Sequence, residues 1–226
     1  MAEAISMPKI GDPAPDFTAV TTQSPALRFG EWRGDSWVVL FSHPADFTPV
    51  CSTELTEFAR RADEFSALNT KLLGLSVDSI HSHLAWIQNL KQILGVEIKY
   101  PMIADLDMKV SQLYGMIHPG ASATATVRTV FLIDPKGIIR AIVYYPLNVG
   151  RNVDEIKRVV AALQTADEHA CATPVNWKPG EKVVVPPPKT TAEVAERESH
   201  RGKDHDVKDF YLSLKDAPKK GSAAGR

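Results

Sequence analysis

Apolar residues gather along the chain in short unbroken runs. They are Trp37-Val38-Val39-Leu40-Phe41, Lys71-Leu72-Leu73-Gly74-Leu75-Ser76-Val77, Thr129-Val130-Phe131-Leu132-Ile133, and Ile138 to Tyr144. Each is rich in strand formers. A continuous apolar run, rather than an alternating one, suits a strand covered on both faces. Asp134-Pro135-Lys136-Gly137 separates the last two runs and predicts a hairpin turn. Helical spacing fills the intervals, at about 49–68, 81–94, 107–114 and 152–167. In the last of these, Val153, Ile156, Val159, Val160 and Leu163 share one helical face. Strand–helix alternation of this kind predicts an α/β domain with a central, mixed but mostly parallel sheet flanked by helices.

The pattern changes near residue 170. Trp177-Lys178-Pro179-Gly180 and Pro186-Pro187-Pro188 are followed by a charged stretch to about 209, which reads as a solvated face. The final residues, Lys219 to Arg226, read as a frayed tail. The segment 170–215 is too poor in apolar residues to build its own core. It is expected to pack on the main domain or on a partner subunit. This divides the chain into a domain at 1–168 and a C-terminal extension or dimerisation arm at 169–226.

Composition narrows the function. With 226 residues and 44% hydrophobic content, the chain can bury a substantial core. A net charge of −1 without a basic stripe gives no sign of a nucleic-acid partner. No run approaches the roughly 18 apolar residues of a membrane span, and the N-terminal stretch lacks a secretory pattern. The 2 cysteines, Cys51 and Cys171, form no disulfide framework and no multi-thiolate metal site. A cytoplasmic location is therefore expected.

The chemistry concentrates after the first buried strand, in Ser42-His43-Pro44-Ala45-Asp46-Phe47-Thr48-Pro49-Val50-Cys51-Ser52-Thr53-Glu54-Leu55. Thr48 suits a helix N-cap and Pro49 a first helical residue. Cys51 then falls in the first turn, where unpaired N–H groups and the positive dipole end favour a thiolate. The residues alone leave two readings: an activated nucleophile, or a small buried hydrophobe of the kind most unpaired cysteines are.

Pro44-x-x-x-Thr48-x-x-Cys51 is similar to the active-site motif of the peroxiredoxins, and the longer string around it resembles their one-cysteine, peroxiredoxin-6-like subgroup. The resemblance spans about 8–215. It takes in Val77-Asp78-Ser79, His83-Leu84-Ala85-Trp86, Tyr100 to Asp105, Arg128-Thr129-Val130-Phe131, Gly150 to Ile156, and Ala172-Thr173-Pro174-Val175-Asn176-Trp177. It implies a thioredoxin-like fold and thiol-dependent reduction of hydroperoxides, with neither metal nor cofactor required because sulfur carries the electrons. Cys51 would be the peroxidatic nucleophile, oxidised to a sulfenic acid and recycled by an external thiol of glutathione or thioredoxin type. The same resemblance has Thr48 hydrogen-bonding the peroxide, Pro44 shielding the sulfur, and Arg128 holding the thiolate and the developing charge. Glu54 and Arg151 would orient Arg128 and the first turn. His43 matches the subgroup's histidine near the sulfur, with a satisfied structural histidine as the alternative. A homodimer or higher homo-oligomer is implied as well.

Other motifs weigh less. Two-cysteine relatives carry a resolving cysteine where Thr173 stands here. Cys171 lies two residues earlier, as an incidental thiol or the partner in an offset disulfide. Some one-cysteine peroxiredoxins hydrolyse phospholipids with a Gly-x-Ser-x-Gly serine. Here Ser36 is followed by Trp37-Val38, and the family's His and Asp positions are Gly30 and Lys136. His81 and His83, two apart on a helix, point apart and read as a surface helix start. A chaperone or a sensor whose cysteine is oxidised only once is the competing class. Steady peroxide turnover with added thiol separates it from an enzyme.

Overall fold

The computed structural model describes residues 7–203 and 205–217. The 219–226 tail lies outside them. The chain divides into two compact units, Met1–Val153 and Asp154–Arg226.

In the first unit the elements are β1 (Thr18–Ala19), β2 (Leu27–Arg28), α1 (Phe29–Arg33), β3 (Trp37–Ser42), α2 (Pro49–Arg60), α3 (Ala62–Ser66), β4 (Thr70–Ser76), α4 (Ile80–Leu94), β5 (Met102–Ala104), α5 (Lys109–Leu113), β6 (Arg128–Ile133) and β7 (Ile139–Tyr145). The main sheet runs β5-β4-β3-β6-β7. β3–β4 and β4–β5 pair in parallel, whereas β3–β6 and β6–β7 pair antiparallel. The sheet is therefore mixed as expected, with β3, β4, β5 and β7 running in one direction and β6 alone reversed. The predicted hairpin makes one antiparallel pairing. β6 makes the other, because it enters beside β3 from the opposite direction and does not continue the parallel series.

Every residue of β3 is buried, as its unbroken apolar run requires. Val38 and Leu40 join Leu73, Leu75, Phe131 and Ile133 in one core layer with Phe29 and Val110. Phe41 takes the other face, stacking on Phe58 of α2 with ring centroids 4.2 Å apart. The stretch read as one helix over 49–68 is broken at Arg61, whose φ of −105° and ψ of 8° leave the helical region. β5 has no counterpart among the apolar runs of the sequence. Its edge is covered by the preceding chain, since Ala104 N–H donates to Val20 O at 3.0 Å.

The second unit takes in α6 (Val153–His169, which begins on the last residue of the first), β8 (Val183–Val184), α7 (Thr191–Ser199), β9 (His205–Asp209) and β10 (Leu212–Lys215). No element after α6 is predicted from the sequence. The strands nevertheless form a small antiparallel sheet in the order β8-β10-β9. α7 is capped by Thr190, whose Oγ1 accepts from Glu193 N–H at 3.2 Å, while Glu193 reaches back past the cap to accept from Lys189 N–H at 2.5 Å. Pro186-Pro187-Pro188 stays outside regular structure.

Candidate active site

The site lies where β3 ends and α2 begins. Thr48 is the N-cap residue of α2 in extended conformation, with Pro49 next, as expected, but its hydroxyl does not cap the helix. It donates instead to Ala45 O at 2.8 Å, back into the loop. The first α-type bond of the helix is Ser52 N–H to Thr48 O, at 3.0 Å. Cys51 thus sits in the turn whose N–H groups have no helical partner, at the positive end of a 12-residue helix.

Cys51 is wholly buried at 0% exposure. Arg128 Nη1 donates to its Sγ at 3.3 Å and to Glu54 Oε2 at 2.7 Å. The rest of that guanidinium is fixed by Leu147 O, which accepts from Nε at 3.0 Å and from Nη2 at 2.7 Å. Arg151 grips the other side of Glu54. Its backbone N–H and Nε donate to Oε1 at 2.8 and 2.9 Å, and its Nη2 donates to Oε2 at 2.8 Å. Arg151 Nη1 ties the group to the sheet through Ser42 O and Thr129 O, both at 2.8 Å.

Two buried guanidinium charges thus face one carboxylate. An uncompensated buried charge is expensive, so the cluster favours a second anion at the position Sγ occupies. Burial pushes the Glu54 carboxyl upward, but its bonds and charge interactions with Arg151, and the charge of Arg128, outweigh this and hold it below its ordinary value.

Cys51, Arg128, Glu54 and Arg151 are therefore joined in one hydrogen-bonded chain. Pro44 and Thr48 stand on the loop that leads into it, both half-buried. Phe47, between them and 57% exposed, takes a left-handed φ of 55°, a strained conformation for an aromatic residue. His43 is buried but turned to a different partner, with Nε2 against Asp46 Oδ1 at 2.9 Å. Asp46 Oδ2 lies 2.7 Å from His83 Nδ1. His83 is thus no surface residue: it is buried while His81 is exposed, so the two do point apart. Sequence reasoning missed both Asp46 and His83. The available signal was that His83 shares the buried face of α4 with Trp86 and Leu90. Ser36 Oγ bonds Asn69 Oδ1 at 3.1 Å rather than a histidine that could act as its base.

The sequence pattern of the AhpC/TSA family matches residues 10–142, and that of the C-terminal domain of 1-Cys peroxiredoxin matches 162–200. The chain belongs to the AhpC/TSA family, that of the peroxiredoxins. A peroxiredoxin of Aquifex aeolicus is 50% identical over 94% of this chain and 99% of its own length. One of Methanosarcina mazei is 50% identical over 92% of this chain and 98% of its own. Among solved structures, a yeast mitochondrial 1-Cys peroxiredoxin superimposes with a TM-score of 0.83 at 42% identity, covering 93% of this chain and all (100%) of that one. The peroxiredoxin 6 of Arenicola marina gives 0.82 at 35% identity, covering 94% and 99%. These neighbours share the thioredoxin-like peroxiredoxin fold expected from the sequence.

Proposed function

We propose that the protein is a thiol-dependent peroxidase in which Cys51 reduces hydrogen peroxide and organic hydroperoxides. The observation that carries this reading is the Arg128 guanidinium on Cys51 Sγ, within a cluster one negative charge short. In the reaction the thiolate attacks one peroxide oxygen. The S–O bond forms as the O–O bond breaks, and the departing oxygen takes up a proton and leaves as water or an alcohol. Arg128 stabilises first the thiolate and then the charge spreading over the two oxygens. Thr48 binds the peroxide through the hydroxyl now turned to Ala45 O, Pro44 keeps bulk water off the sulfur, and Glu54 and Arg151 hold Arg128 in place. His43 supports the loop.

Two molecules of an external thiol complete the cycle. The first condenses with the sulfenic acid, releasing water and leaving a mixed disulfide. The second displaces Cys51 and leaves as the oxidised thiol. The yeast mitochondrial 1-Cys peroxiredoxin has its thiol resolved via glutathione and thioredoxin systems, and a reductant of either type fits here. Cys171 is a poor resolving thiol: burial pushes its ionisation upward, against a smaller opposite pull from Lys215. Both cysteines are free, as suits a reducing cytoplasm.

We also assign residues 1–168 to the peroxidase domain and 169–226 to a dimerisation extension. A homodimer is supported by β7, whose one strand partner in the sheet among the described residues is β6 and which carries the uncharged stretch Ala141-Ile142-Val143-Tyr144-Tyr145 at the sheet edge. The test of the function is mass spectrometry after one equivalent of peroxide, followed by steady-state turnover with thiol. Sulfenate on Cys51 and sustained consumption of peroxide are expected. A single stoichiometric oxidation without turnover would leave the protein a sensor.

A further inference from the structure

Behind the peroxidase cluster is a second buried polar chain that the reaction itself does not use. His83 Nε2 lies 3.1 Å from Ile103 O, His83 Nδ1 lies 2.7 Å from Asp46 Oδ2, and Asp46 Oδ1 lies 2.9 Å from His43 Nε2. All three side chains are buried. Donor and acceptor roles follow from the partners. His83 presents one ring nitrogen to a carbonyl oxygen and the other to a carboxylate, both acceptors. A carboxylate only accepts, so the proton of a neutral His43 ring sits on Nε2. His43 is therefore left with a bare Nδ1, which has no hydrogen-bond partner among the described residues. Burial holds His43 below its ordinary pKa despite Asp46, which keeps the ring neutral.

The chain fastens one loop. His43 N–H donates to Leu75 O at 2.9 Å, Thr126 Oγ1 donates to His43 O at 2.7 Å, and Asp46 N–H donates to Asp78 Oδ2 at 3.0 Å. Asp78 is in turn held by Ser76 Oγ at 2.6 Å. Asp46 is the only one of these groups that joins the loop to α4 through its side chain, by way of His83. Between His43 and the helix start lie Pro44, the strained Phe47 and Thr48.

We propose that His83 and Asp46 are positioning residues of the peroxidase site, locking His43 and the loop 43–48 into the arrangement that sets Pro44 and Thr48 before Cys51. This rests on the peroxidase reading given above. A bound divalent ion is the competing account, because His43, Asp46 and His83 each bring a ligand atom within 4.8 Å of the others. The separations of 2.7 and 2.9 Å between nitrogen and oxygen are those of hydrogen bonds carrying protons, and they favour the relay.

The test compares His83→Ala, His83→Asn, His83→Gln and Asp46→Asn with the wild type. The readouts are the second-order rate of Cys51 oxidation by hydrogen peroxide, its pH profile, the melting temperature and the metal content. His83→Ala and Asp46→Asn are expected to slow oxidation at least about tenfold, since small displacements of positioning groups cost rates of that order. His83→Asn, whose amide nitrogen replaces Nδ1 toward Asp46, is expected to recover most of the rate. His83→Gln, which reaches toward Ile103 O instead, is not. If His83→Ala does not fold, the two near-isosteric amides carry the comparison. Variants that melt lower but keep the wild-type rate and pH profile overturn the proposal, and so does an Asn variant no faster than Gln. Stoichiometric metal in the purified wild type replaces the relay with a metal site. A wild type that consumes no peroxide overturns the functional reading beneath it instead.

Discussion

Arg128 and Cys51 are bound through a single nitrogen: Nη1 lies 3.3 Å from Sγ and is shared with Glu54 Oε2 at 2.7 Å. Nε and Nη2 both donate to Leu147 O. The guanidinium therefore cannot swing away from the sulfur without giving up several bonds at once. This fixed fork is a role that lysine, a single flexible ammonium, does not fill.

Arg128→Met is accordingly expected to slow peroxide reduction by Cys51 more than tenfold, and Arg128→Lys to recover little of the loss. Loss of one preorganised donor from a reaction centre commonly costs about 10²–10³ in rate. Stopped-flow measurement of Cys51 oxidation against pH decides the matter. An unchanged rate in both variants removes Arg128 from the site.

The two cysteines should separate cleanly on mutation. Cys51→Ser is expected to abolish peroxidase activity, because serine at the same first-turn position offers no comparable nucleophile. Cys171→Ser should keep most of it. Cys171 Sγ rests 3.6 Å from Thr165 O in a setting that disfavours its thiolate. Peroxide consumption with excess thiol measures both, and equal losses would establish a two-cysteine cycle.

The contrast between Cys51 and His83 shows what the sequence makes legible. The first-turn position of Cys51 could be read because its surroundings are local: an apolar strand, Thr48, Pro49 and a helix start follow one another along the chain, whereas its role as nucleophile came from the resemblance to the peroxiredoxins. His83 could not, because its meaning comes from Asp46, which folding brings to it from 37 residues away. The four long strands were legible as apolar runs. β8 and β9 were not, since two residues, or five that include His205, Asp206, Lys208 and Asp209, leave no period to detect. The break at Arg61 carries neither glycine nor proline to announce it. The capping role of Thr48 was half legible: its position was, whereas the choice of Ala45 O over a helical N–H depends on how the loop folds.

Acid should unfold the protein in two stages. Burial lowers the ionisation of His43, so its neutral form is favoured by folding. Stability from this source is complete above the unfolded value of about 6.5 and falls as pH drops through it. For Asp46, burial acts upward, but the bonds from His43 and His83 prevail and the net direction is down. Glu54 behaves alike, held down by Arg151 and Arg128 against its burial. These carboxylates contribute stability that is present above about pH 4 and is lost below it. The melting temperature should therefore decline gently below about pH 6.5 and steeply below about pH 4. A flat profile between pH 7 and 5 would contradict the assignment of His43 as a buried neutral ring.

Glu54→Gln should be among the most destabilising substitutions at the site, although it changes almost no volume. It leaves Arg128 and Arg151 buried without their shared carboxylate, a loss of about 3–5 kcal/mol by analogy with other broken buried pairs. Chemical denaturation at neutral pH measures it. A difference below about 1 kcal/mol would mean that solvent or the Cys51 thiolate already compensates the two cations.

The C-terminal extension bears on assembly. Trp177 and Val183, two of its apolar anchors, are buried within the single chain. Phe210, Tyr211 and Leu212, at the turn between β9 and β10, are 43%, 59% and 41% exposed. Three adjacent large apolar side chains at a hairpin tip have no evident use in a monomer, and burying each one fully is worth about 1.5–3 kcal/mol. The expected working unit is at least a homodimer in which the 170–215 segment lies across the neighbouring subunit with this tip as its anchor. Light scattering on the full chain should report at least a dimer at micromolar concentration. Replacing Phe210, Tyr211 and Leu212 together with serine should weaken that assembly while the melting of the peroxidase domain changes little. A full-length protein that is monomeric at micromolar concentration refutes the exchange. A dimer indifferent to the triple substitution relocates the contact to another surface, of which the open β7 edge is the first to test.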